Sequence, residues 1–310
     1  MLRCAAFVAL SAGVWAACTR LFFNGYTDDF YVRVASPRQP ALIVGTSRAA
    51  QGLVPEEIDT RALGVSAPLY NFAFASSLTR YGPSYFDAIE RKLAEPVPGE
   101  ASLFLVEVSP LSIAIDATDR TAFPERESFI GKLSSFSANP NVEYPFYAAQ
   151  RGYDIIDRTV RHWRGMGRLL LHADGWLEVK PVADDDIEAN IRQKLVDYTQ
   201  TFSVSRYSEE RATYLKRTVE RLAARGRVGL VQMPIDPRLR VLERQFMPDF
   251  DARMHELSAR TGATYLDLSD LDERVVTNDG SHLRQDWSRR VSRELSARLA
   301  RLWAAPSAVR

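Results

Sequence analysis

Short apolar runs alternate with segments of helical spacing along most of the chain. The runs are continuously apolar rather than alternating, which is typical of parallel strands covered on both faces. Helical spacing follows the second run over residues 81–94 and precedes the fourth over residues 209–225. The predicted strands are ALIVG near 41, LYNFAF near 69, SLFLVEVS near 102, RVGLVQM near 227 and ATYLDL near 263.

This alternation predicts an α/β fold with a doubly wound, flavodoxin-like parallel sheet of about five strands. In such sheets, binding and catalytic sites form at the carboxyl ends of the strands. The chain closes with a predicted amphipathic helix over residues 287–303. We expect its apolar stripe to pack on the sheet and its arginines to face solvent.

About a hundred residues between the third and fourth predicted strands are too many for one crossover connection. Residues 111–208 are therefore predicted to form a large, mainly helical insertion. An aromatic-rich, partly helical part comes first, and a loop-like stretch, HADGWLEVKPVADDD, follows it. A helix is expected near residues 186–197.

The first segment differs from everything that follows. It reads MLRCAAFVALSAGVWAAC with Arg3 as its one charge, and the apolar run over residues 4–23 is just long enough to span a bilayer. Arg20 lies near one end, where its side chain can reach the interface. We expect a signal anchor over residues 1–24 and an exported domain over residues 25–310.

Two other interpretations of this segment stay open. The run could be a secretory signal with a cleavage site near Ala16 or Ala17. Alternatively, Cys18 could carry a lipid, although Trp15 stands where an aliphatic residue is usual. For the favoured anchor, we expect the bacterial inner membrane as the location and the periplasm as the compartment of the domain.

Composition excludes several classes of function. Hydrophobic residues make up 46% and charged residues 25% of the chain, which is ordinary for a packed globular protein. The net charge of +1 gives no global field that would attract nucleic acid. Both cysteines, Cys4 and Cys18, lie in the apolar segment, so the folded part has no Cys nucleophile, disulfide framework or Cys-ligated zinc. Because His172 and Asp174 alone do not make a metal site, we expect no metal and no cofactor.

The first predicted strand runs directly into Gly45-Thr46-Ser47, and a helix follows. A hydroxyl at this strand end lies where backbone N–H groups converge, which suits the stabilisation of an oxyanion. Serine is also a favoured helix N-cap, and on this motif alone the N-cap is the simpler interpretation.

A second polar motif, NDGSHLRQDW, follows the last predicted strand. Asp279 and His282 are three residues apart, a spacing that brings both side chains to one side of a turn. The carboxylate can then fix the imidazole tautomer, and the free ring nitrogen can accept a proton from a serine hydroxyl. Taken with Ser47 at another strand end, the motif favours a catalytic triad over an ordinary turn.

Three stretches, IVGTSRAAQGL, YNFAFASS and DGSHL, resemble the first, second and last sequence blocks of the SGNH hydrolases, also called GDSL-like esterases. More closely, they resemble the membrane-anchored branch of bacterial envelope proteins linked to acylation of cell-surface polymers. The resemblance covers the scaffold, about two thirds of the folded part, and leaves out the insertion at 111–208. It implies Ser47 as nucleophile, His282 as general base and Asp279 as the partner that orients it.

The resemblance also implies an oxyanion hole, and here the chain departs from the family. The backbone N–H of Ser47 would be one donor, and the family's second-block glycine falls on Ala73. The family's third-block Asn is missing, because the third strand ends in VEVSP. Losing one oxyanion donor costs a few kcal/mol. Asn71, Ser109 or an inserted residue would have to replace it, or the protein is weakly active or non-catalytic.

Two further residues are candidates for substrate binding. Arg48 follows the predicted nucleophile and would either hold a substrate anion or pair with Glu107 or another acid. Trp176 lies in the predicted loop of the insertion, where it would either stack on a sugar ring or pack the insertion onto the core. For Arg48 both interpretations stay open, and for Trp176 packing is slightly favoured.

Two functions from different classes follow. The first is a serine-dependent acyltransferase or esterase that acts on acyl groups, acetyl in particular, of a bacterial envelope polysaccharide through an acyl-serine intermediate. The second is a non-catalytic SGNH-like subunit that binds a glycan or serves as a scaffold in an envelope export complex. The expected partners are an acylated polysaccharide or small acyl ester, the membrane, and other polymer-modifying envelope proteins, but not nucleic acid.

Overall fold

The computed structural model describes residues 2–96, 99, 101–119, 121–148 and 152–304. Its helices are α1 Leu2–Phe22, α2 Tyr31–Ala35, α3 Ser47–Gly52, α4 Ser76–Thr79, α5 Pro83–Lys92, α6 Phe129–Lys132, α7 Tyr144–Ala148, α8 Gly152–Trp163, α9 Asp184–Val204, α10 Glu209–Ala223, α11 Pro237–Phe246, α12 Phe250–Thr261 and α13 Gln285–Ala304. Its strands are β1 Ala41–Val44, β2 Leu69–Asn71, β3 Ser102–Glu107, β4 Ala114–Asp116, β5 Leu169–Leu171, β6 Leu177–Val179, β7 Ser205–Tyr207, β8 Gly226–Gln232 and β9 Thr264–Asp267.

The predicted parallel sheet is confirmed. Five strands pair in the order β2-β1-β3-β8-β9, and every pairing in this sheet is parallel. They are the five apolar runs expected from the sequence. The order reverses between β1 and β3, so a crevice opens at the carboxyl ends of these two strands, where doubly wound folds bind ligands.

Each face of the sheet carries its own apolar core. Leu42, Val44, Phe104 and Val106 point to one face and belong to a cluster that includes side chains of α5, α10 and α12. The intervening residues of the same strands, such as Ile43 and Leu105, point to the other face. There they meet α3 and the apolar stripe of α13, which is Val291, Leu295 and Leu299. Burial on both faces is the reason why these strands are continuously apolar.

Residues between β3 and β8 build several small elements beside the sheet. Helices α6 to α9 lie there, together with an antiparallel β4–β7 pair and a β5–β6 hairpin. The hairpin corrects the expectation of a loop over HADGWLEVKPVADDD. The helix expected near 186–197 is longer than predicted and spans Asp184–Val204. The bounds of the insertion at 111–208 stay a prediction.

The β5–β6 turn covers the exposed edge of β2. The backbone N–H of Asn71 donates to the carbonyl oxygen of Asp174 at 2.8 Å. Gly175 follows with a φ of +84°, and a Cβ there would lie 2.2 Å from the carbonyl oxygen of Asn71. Because only glycine tolerates both constraints, Gly175 allows the turn to close over this strand edge.

The N-terminal apolar run forms one long helix, α1. Its stretch Arg3–Phe22 is long and apolar enough to cross a membrane, and most of it is exposed, apart from Thr19 near the end that joins the domain, which is buried. This exposure separates α1 from an ordinary core helix, which would hide its apolar side chains. The helix is therefore compatible with a single membrane anchor.

Candidate functional site

The turn after β1 places Ser47 at the start of α3. Gly45 has a φ of +145°, and a Cβ there would lie 2.6 Å from the Cβ of Glu107, so only glycine fits. Thr46 is the N-cap of α3, and its hydroxyl accepts the backbone N–H of Arg48. The backbone N–H of Ser47 heads the helix and has no acceptor within it. The serine that could have been a simple N-cap is thus the first residue of the helix.

Buried polar groups on helix α5 and on strand β3 hold this turn in place. The hydroxyl of Tyr85 accepts the N–H of Gly45 at 2.9 Å, and Oε2 of Glu107 accepts the N–H of Thr46 at 2.7 Å. Glu107 is fully buried, and burial raises the pKa of its carboxyl against the opposing charge of Arg48. These bonds tie the turn after β1 to α5 and to the end of β3.

Asp279, Gly280, Ser281 and His282 form a turn, the DGSH turn, that is held by hydrogen bonds within its own segment. Oδ1 of Asp279 accepts the N–H groups of Ser281 and His282, and the hydroxyl of Thr277 accepts the N–H of Gly280. Gly280 has a φ of +87°, which favours glycine at the corner. Its carbonyl oxygen accepts the N–H of Asp236 at 2.7 Å, which fixes the turn to the segment after β8.

The structure brings Ser47, His282 and Asp279 together. Ser47 Oγ lies 2.8 Å from His282 Nε2, and His282 Nδ1 lies 2.9 Å from Asp279 Oδ2. Because an ionised carboxylate only accepts, Nδ1 carries the hydrogen and the Nε2 lone pair faces the serine hydroxyl. Ser47 and His282 are 235 residues apart in the chain, so the fold alone creates this arrangement.

Asp279 is held as a carboxylate. Burial by itself would raise its pKa, but His282 and the ammonium of Lys194 outweigh burial, and the pKa of Asp279 lies well below its usual range. Lys194 Nζ lies 3.0 Å from Asp279 Oδ2. The group that orients the imidazole therefore stays charged at any pH at which the protein would work.

Helix α9 supplies supporting residues that the sequence analysis missed. Asn190, Lys194 and Tyr198 recur every four residues and share one helical face. Asn190 Nδ2 donates to the carbonyl oxygen of Asn278 at 3.3 Å, Lys194 pairs with Asp279, and the Tyr198 hydroxyl lies 3.3 Å from Ser281 Oγ. The polar four-residue spacing was the available signal, but nothing in it pointed to the DGSH turn.

Arg48 is buried and hydrogen-bonded within the protein. Its Nη2 donates to Glu243 Oε1 at 2.7 Å and to the Tyr198 hydroxyl at 2.9 Å, and only 5% of the side chain is exposed. Burial alone would lower the pKa of Arg48, but the carboxylate of Glu243 more than compensates and raises it. The paired interpretation of Arg48 fits, with Glu243 rather than Glu107 as the hydrogen-bonded acid.

Asn71 and Ala73 do not offer free oxyanion donors in this conformation. Both hydrogens of the Asn71 amide are used, since Nδ2 donates to the carbonyl oxygens of Ala49 and Leu53. Its Oδ1 accepts the backbone N–H of Ala73 at 3.1 Å. Asn71 thus fastens α3 to β2, and this structural role argues against the predicted roles of both residues.

Trp176 is a packing residue, which argues against a role in sugar stacking. Only 2% of it is exposed, and its ring stacks on His172 with centroids 4.6 Å apart. Its Nε1 donates to the carbonyl oxygen of Gln51 in α3 at 2.9 Å. The hairpin is thereby joined to the helix that carries Ser47, in agreement with the packing interpretation.

A cleft of about 580 Å³ adjoins the imidazole. Its lining includes Asp279 and His282, apolar side chains of β5 and β6 and two arginines of α8. Asn278 also lines it, and both polar atoms of the Asn278 amide are buried without a hydrogen bond to the described residues. A buried amide with no protein partner is costly, which makes Asn278 a candidate for substrate contact.

Comparisons with known proteins give little support of their own. No protein-family model matches the chain. No curated protein matches it either. Among solved structures, the inhibitor-bound form of an aryl esterase from M. smegmatis is similar at 11% identity and a TM-score of 0.34, covering 85% of this chain and 99% of that one. A likeness this distant carries no weight, so the function has to be argued from the site.

Replacing Asp279 by Asn should lower stability in a pH-dependent way. Because the pKa of Asp279 is lower in the folded than in the unfolded protein, its charge contributes fully above the ordinary value of 3.8 and less as the pH falls below it. We expect Asp279→Asn to cost roughly 1–3 kcal/mol near neutral pH. The free energies of unfolding of the two proteins should converge in acid. A difference that is constant with pH would show that the carboxylate is not held as described.

Proposed function

We propose that this protein is a serine-dependent acyl-transfer enzyme, an esterase or O-acyltransferase. The observation that carries the proposal is the continuous hydrogen-bonded relay from Ser47 through His282 to Asp279. Nucleophile, base and orienting acid each have the bonding partner that the chemistry requires. A turn that merely capped a helix would not require the imidazole and the carboxylate.

The reaction would proceed through an acyl-serine. Nε2 of His282 takes the hydroxyl proton while Ser47 Oγ attacks the acyl carbonyl, and Asp279 stabilises the imidazolium that forms. The backbone N–H of Ser47, at the first position of α3, would donate to the oxyanion. Collapse expels the first alcohol, which receives the proton from His282. Water or a sugar hydroxyl then attacks the acyl-serine while His282 takes its proton. Collapse breaks the bond between the acyl group and Ser47 Oγ, releases the acid or the new ester, and returns the proton from His282 to Ser47.

For the substrate, we propose an acyl ester, in particular an acetyl ester, of an envelope polysaccharide. The cleft beside His282 is large enough for sugar units and has a mixed polar and apolar lining. We further propose that α1 anchors the protein in the bacterial inner membrane with the domain in the periplasm. The exposure and apolar character of α1 support the anchor, and the absence of cysteine from residues 19–310 is compatible with an exported domain.

One observation favours the non-catalytic alternative. Two of the predicted oxyanion donors, Asn71 and Ala73, are occupied by hydrogen bonds within the protein. A protein that binds a glycan or serves as a scaffold would need no complete oxyanion hole. The relay is the stronger argument, because a scaffold would not need a serine, a histidine and an aspartate in hydrogen-bonded series.

Replacing Ser47 by Ala should abolish hydrolysis of an aryl acetate by the full chain in detergent. We expect kcat/KM to fall by about three orders of magnitude or more, because the nucleophile is lost. The matched control is Ser66→Ala, an exposed serine before β2 at the opposite end of the sheet, which should hydrolyse the ester at the original rate. Equal turnover by Ser47→Ala and the original protein would refute the assignment. Added sugar oligomers that receive the acetyl group would distinguish a transferase from a hydrolase.

Replacing Asn278 by Ala separates a substrate contact from a structural role. If the amide holds the substrate or its oxyanion, kcat/KM should fall by roughly 100-fold. Stability should hardly change or should rise slightly, because the amide has no protein partner to lose. Kinetics and chemical unfolding measured on one preparation test both statements. Unchanged kinetics would exclude Asn278 from the site.

A further inference from the structure

Helix α8 has apolar side chains on two different faces. Ile155 is buried. Four other residues follow the spacing i, i+3, i+7 and i+10 on a face that points outward, and they are Tyr153, Ile156, Val160 and Trp163. Tyr153 is 86% exposed, Ile156 55% and Trp163 64%, while Val160 is partly exposed. An outward stripe of this kind on a soluble domain usually marks a contact surface.

The neighbouring helix α7 connects this stripe to α1. Phe146 of α7 is 71% exposed and stacks on Trp15 of α1, with ring centroids 5.5 Å apart. Trp15 lies seven residues before Phe22, the end of α1. At the rise of an α-helix, this separation corresponds to about 10 Å along the axis. If α1 spans a bilayer and leaves it near Phe22, Phe146 therefore lies inside the bilayer rather than in the water.

An apolar crevice lies between these elements. It measures about 180 Å³, and Phe22, Phe23, Pro145, Ala148, Ile155 and Ile156 line it. Its lining carries almost no polar group, so a polar ligand would lose its hydrogen bonds to water there without replacing them. A hydrocarbon chain next to α1 would fill it at no such cost.

We propose that α7 and α8 seat the domain on the lipid bilayer. The seating surface consists of Phe146, Tyr153, Ile156, Val160 and Trp163, and its partner is the interfacial layer of the membrane that α1 crosses. Aromatic residues at both ends of the α8 stripe suit the headgroup boundary, where Trp and Tyr are preferred. Arg164 follows the stripe directly and would lie near lipid phosphate groups, whereas Arg161 pairs with Asp157 at 2.7 Å. This inference rests on the membrane anchor that forms part of the proposed function.

The seating has a consequence for substrate access. The cleft that reaches His282 is also lined by Arg158 and Arg161 of α8, by Tyr26 just after α1, and by Met166. One wall of the cleft is thus the helix that rests on the membrane. The reacting ester would then enter from the membrane interface, as a lipid-linked or membrane-proximal molecule would.

The test places a fluorescent label on each surface of the full chain in lipid vesicles. In a background with Cys4→Ser and Cys18→Ser, single cysteines are introduced as Tyr153→Cys, Ile156→Cys or, as the matched control, Ala252→Cys. Ala252 is exposed on α12, which lies beside β9 at the sheet edge opposite β2. Each label is exposed to spin-labelled phosphatidylcholine in the vesicle and to iodide in the water.

We expect the labels at 153 and 156 to shift to the blue and to lose fluorescence to the lipid quencher but not to iodide. The label at 252 should behave in the opposite way. Labels at 153 and 156 that iodide quenches as strongly as the label at 252 would overturn the proposal. A second copy or another protein covering the stripe would leave the lipid quencher without effect, and this too would overturn it.

Two further measurements separate this inference from the proposed function. With Cys4→Ser alone, a label on the native Cys18 reports whether α1 is inserted. Insertion of α1 together with aqueous labels at 153 and 156 would refute the seating and leave the anchor intact, while a water-exposed Cys18 would refute both. Aryl acetate hydrolysis by the same vesicles reports separately on Ser47, so a protein that is seated but inactive would support this inference and contradict only the enzymatic proposal.

Discussion

The site depends on a buried chain of charges that joins the helix of Ser47 to the turn of His282. Arg48, the residue after the serine, pairs with Glu243 of α11, and Glu243 also pairs with Arg240. Arg240 in turn pairs with Asp272, which follows β9. Two arginines and two carboxylates balance, so no net charge is buried along this chain. Breaking one such buried pair costs about 3–5 kcal/mol, because it leaves an uncompensated charge behind.

This chain of charges acts on geometry as well as on stability. Asp272 accepts the N–H of Ile235, and the next residue, Asp236, donates its own N–H to Gly280 in the DGSH turn. A shorter route runs from Arg48 through the Tyr198 hydroxyl to Ser281. Both routes begin one residue after the nucleophile and end within two residues of the imidazole. A relay with 2.8 Å and 2.9 Å contacts requires such support, because small displacements would break it.

Local patterns in the sequence predicted the sheet and the three side chains that we propose as the reacting groups. The strands are visible because burial on both faces makes them continuously apolar. Ser47 is visible because it follows the first strand directly, and the DGSH turn because it lies in the segment after the last strand; both carry residue types with known chemistry. Segments that follow parallel strands leave the sheet at the same edge, which allows the two to meet.

The remaining features depend on packing that no local pattern encodes. Arg48 pairs with Glu243 of α11, which lies 195 residues further along the chain. Lys194 pairs with Asp279 from a helix with no recognisable motif. The sequence makes Asn71 a candidate oxyanion donor, but its amide Nδ2 donates to the backbone carbonyl oxygens of Ala49 and Leu53. Asn278 stood beside the predicted triad in the sequence, but only its unpaired burial distinguishes it from an ordinary turn residue.

The most direct measurement of the central claim is covalent capture of the nucleophile. The full chain is treated with an aryl phosphonate fluoride, and the modified peptide is identified by mass spectrometry. We predict one adduct, on Ser47, formed rapidly in the original protein and strongly suppressed in His282→Ala. An unmodified Ser47, or an adduct that forms equally fast without the imidazole, would contradict the claim that this serine is activated by His282.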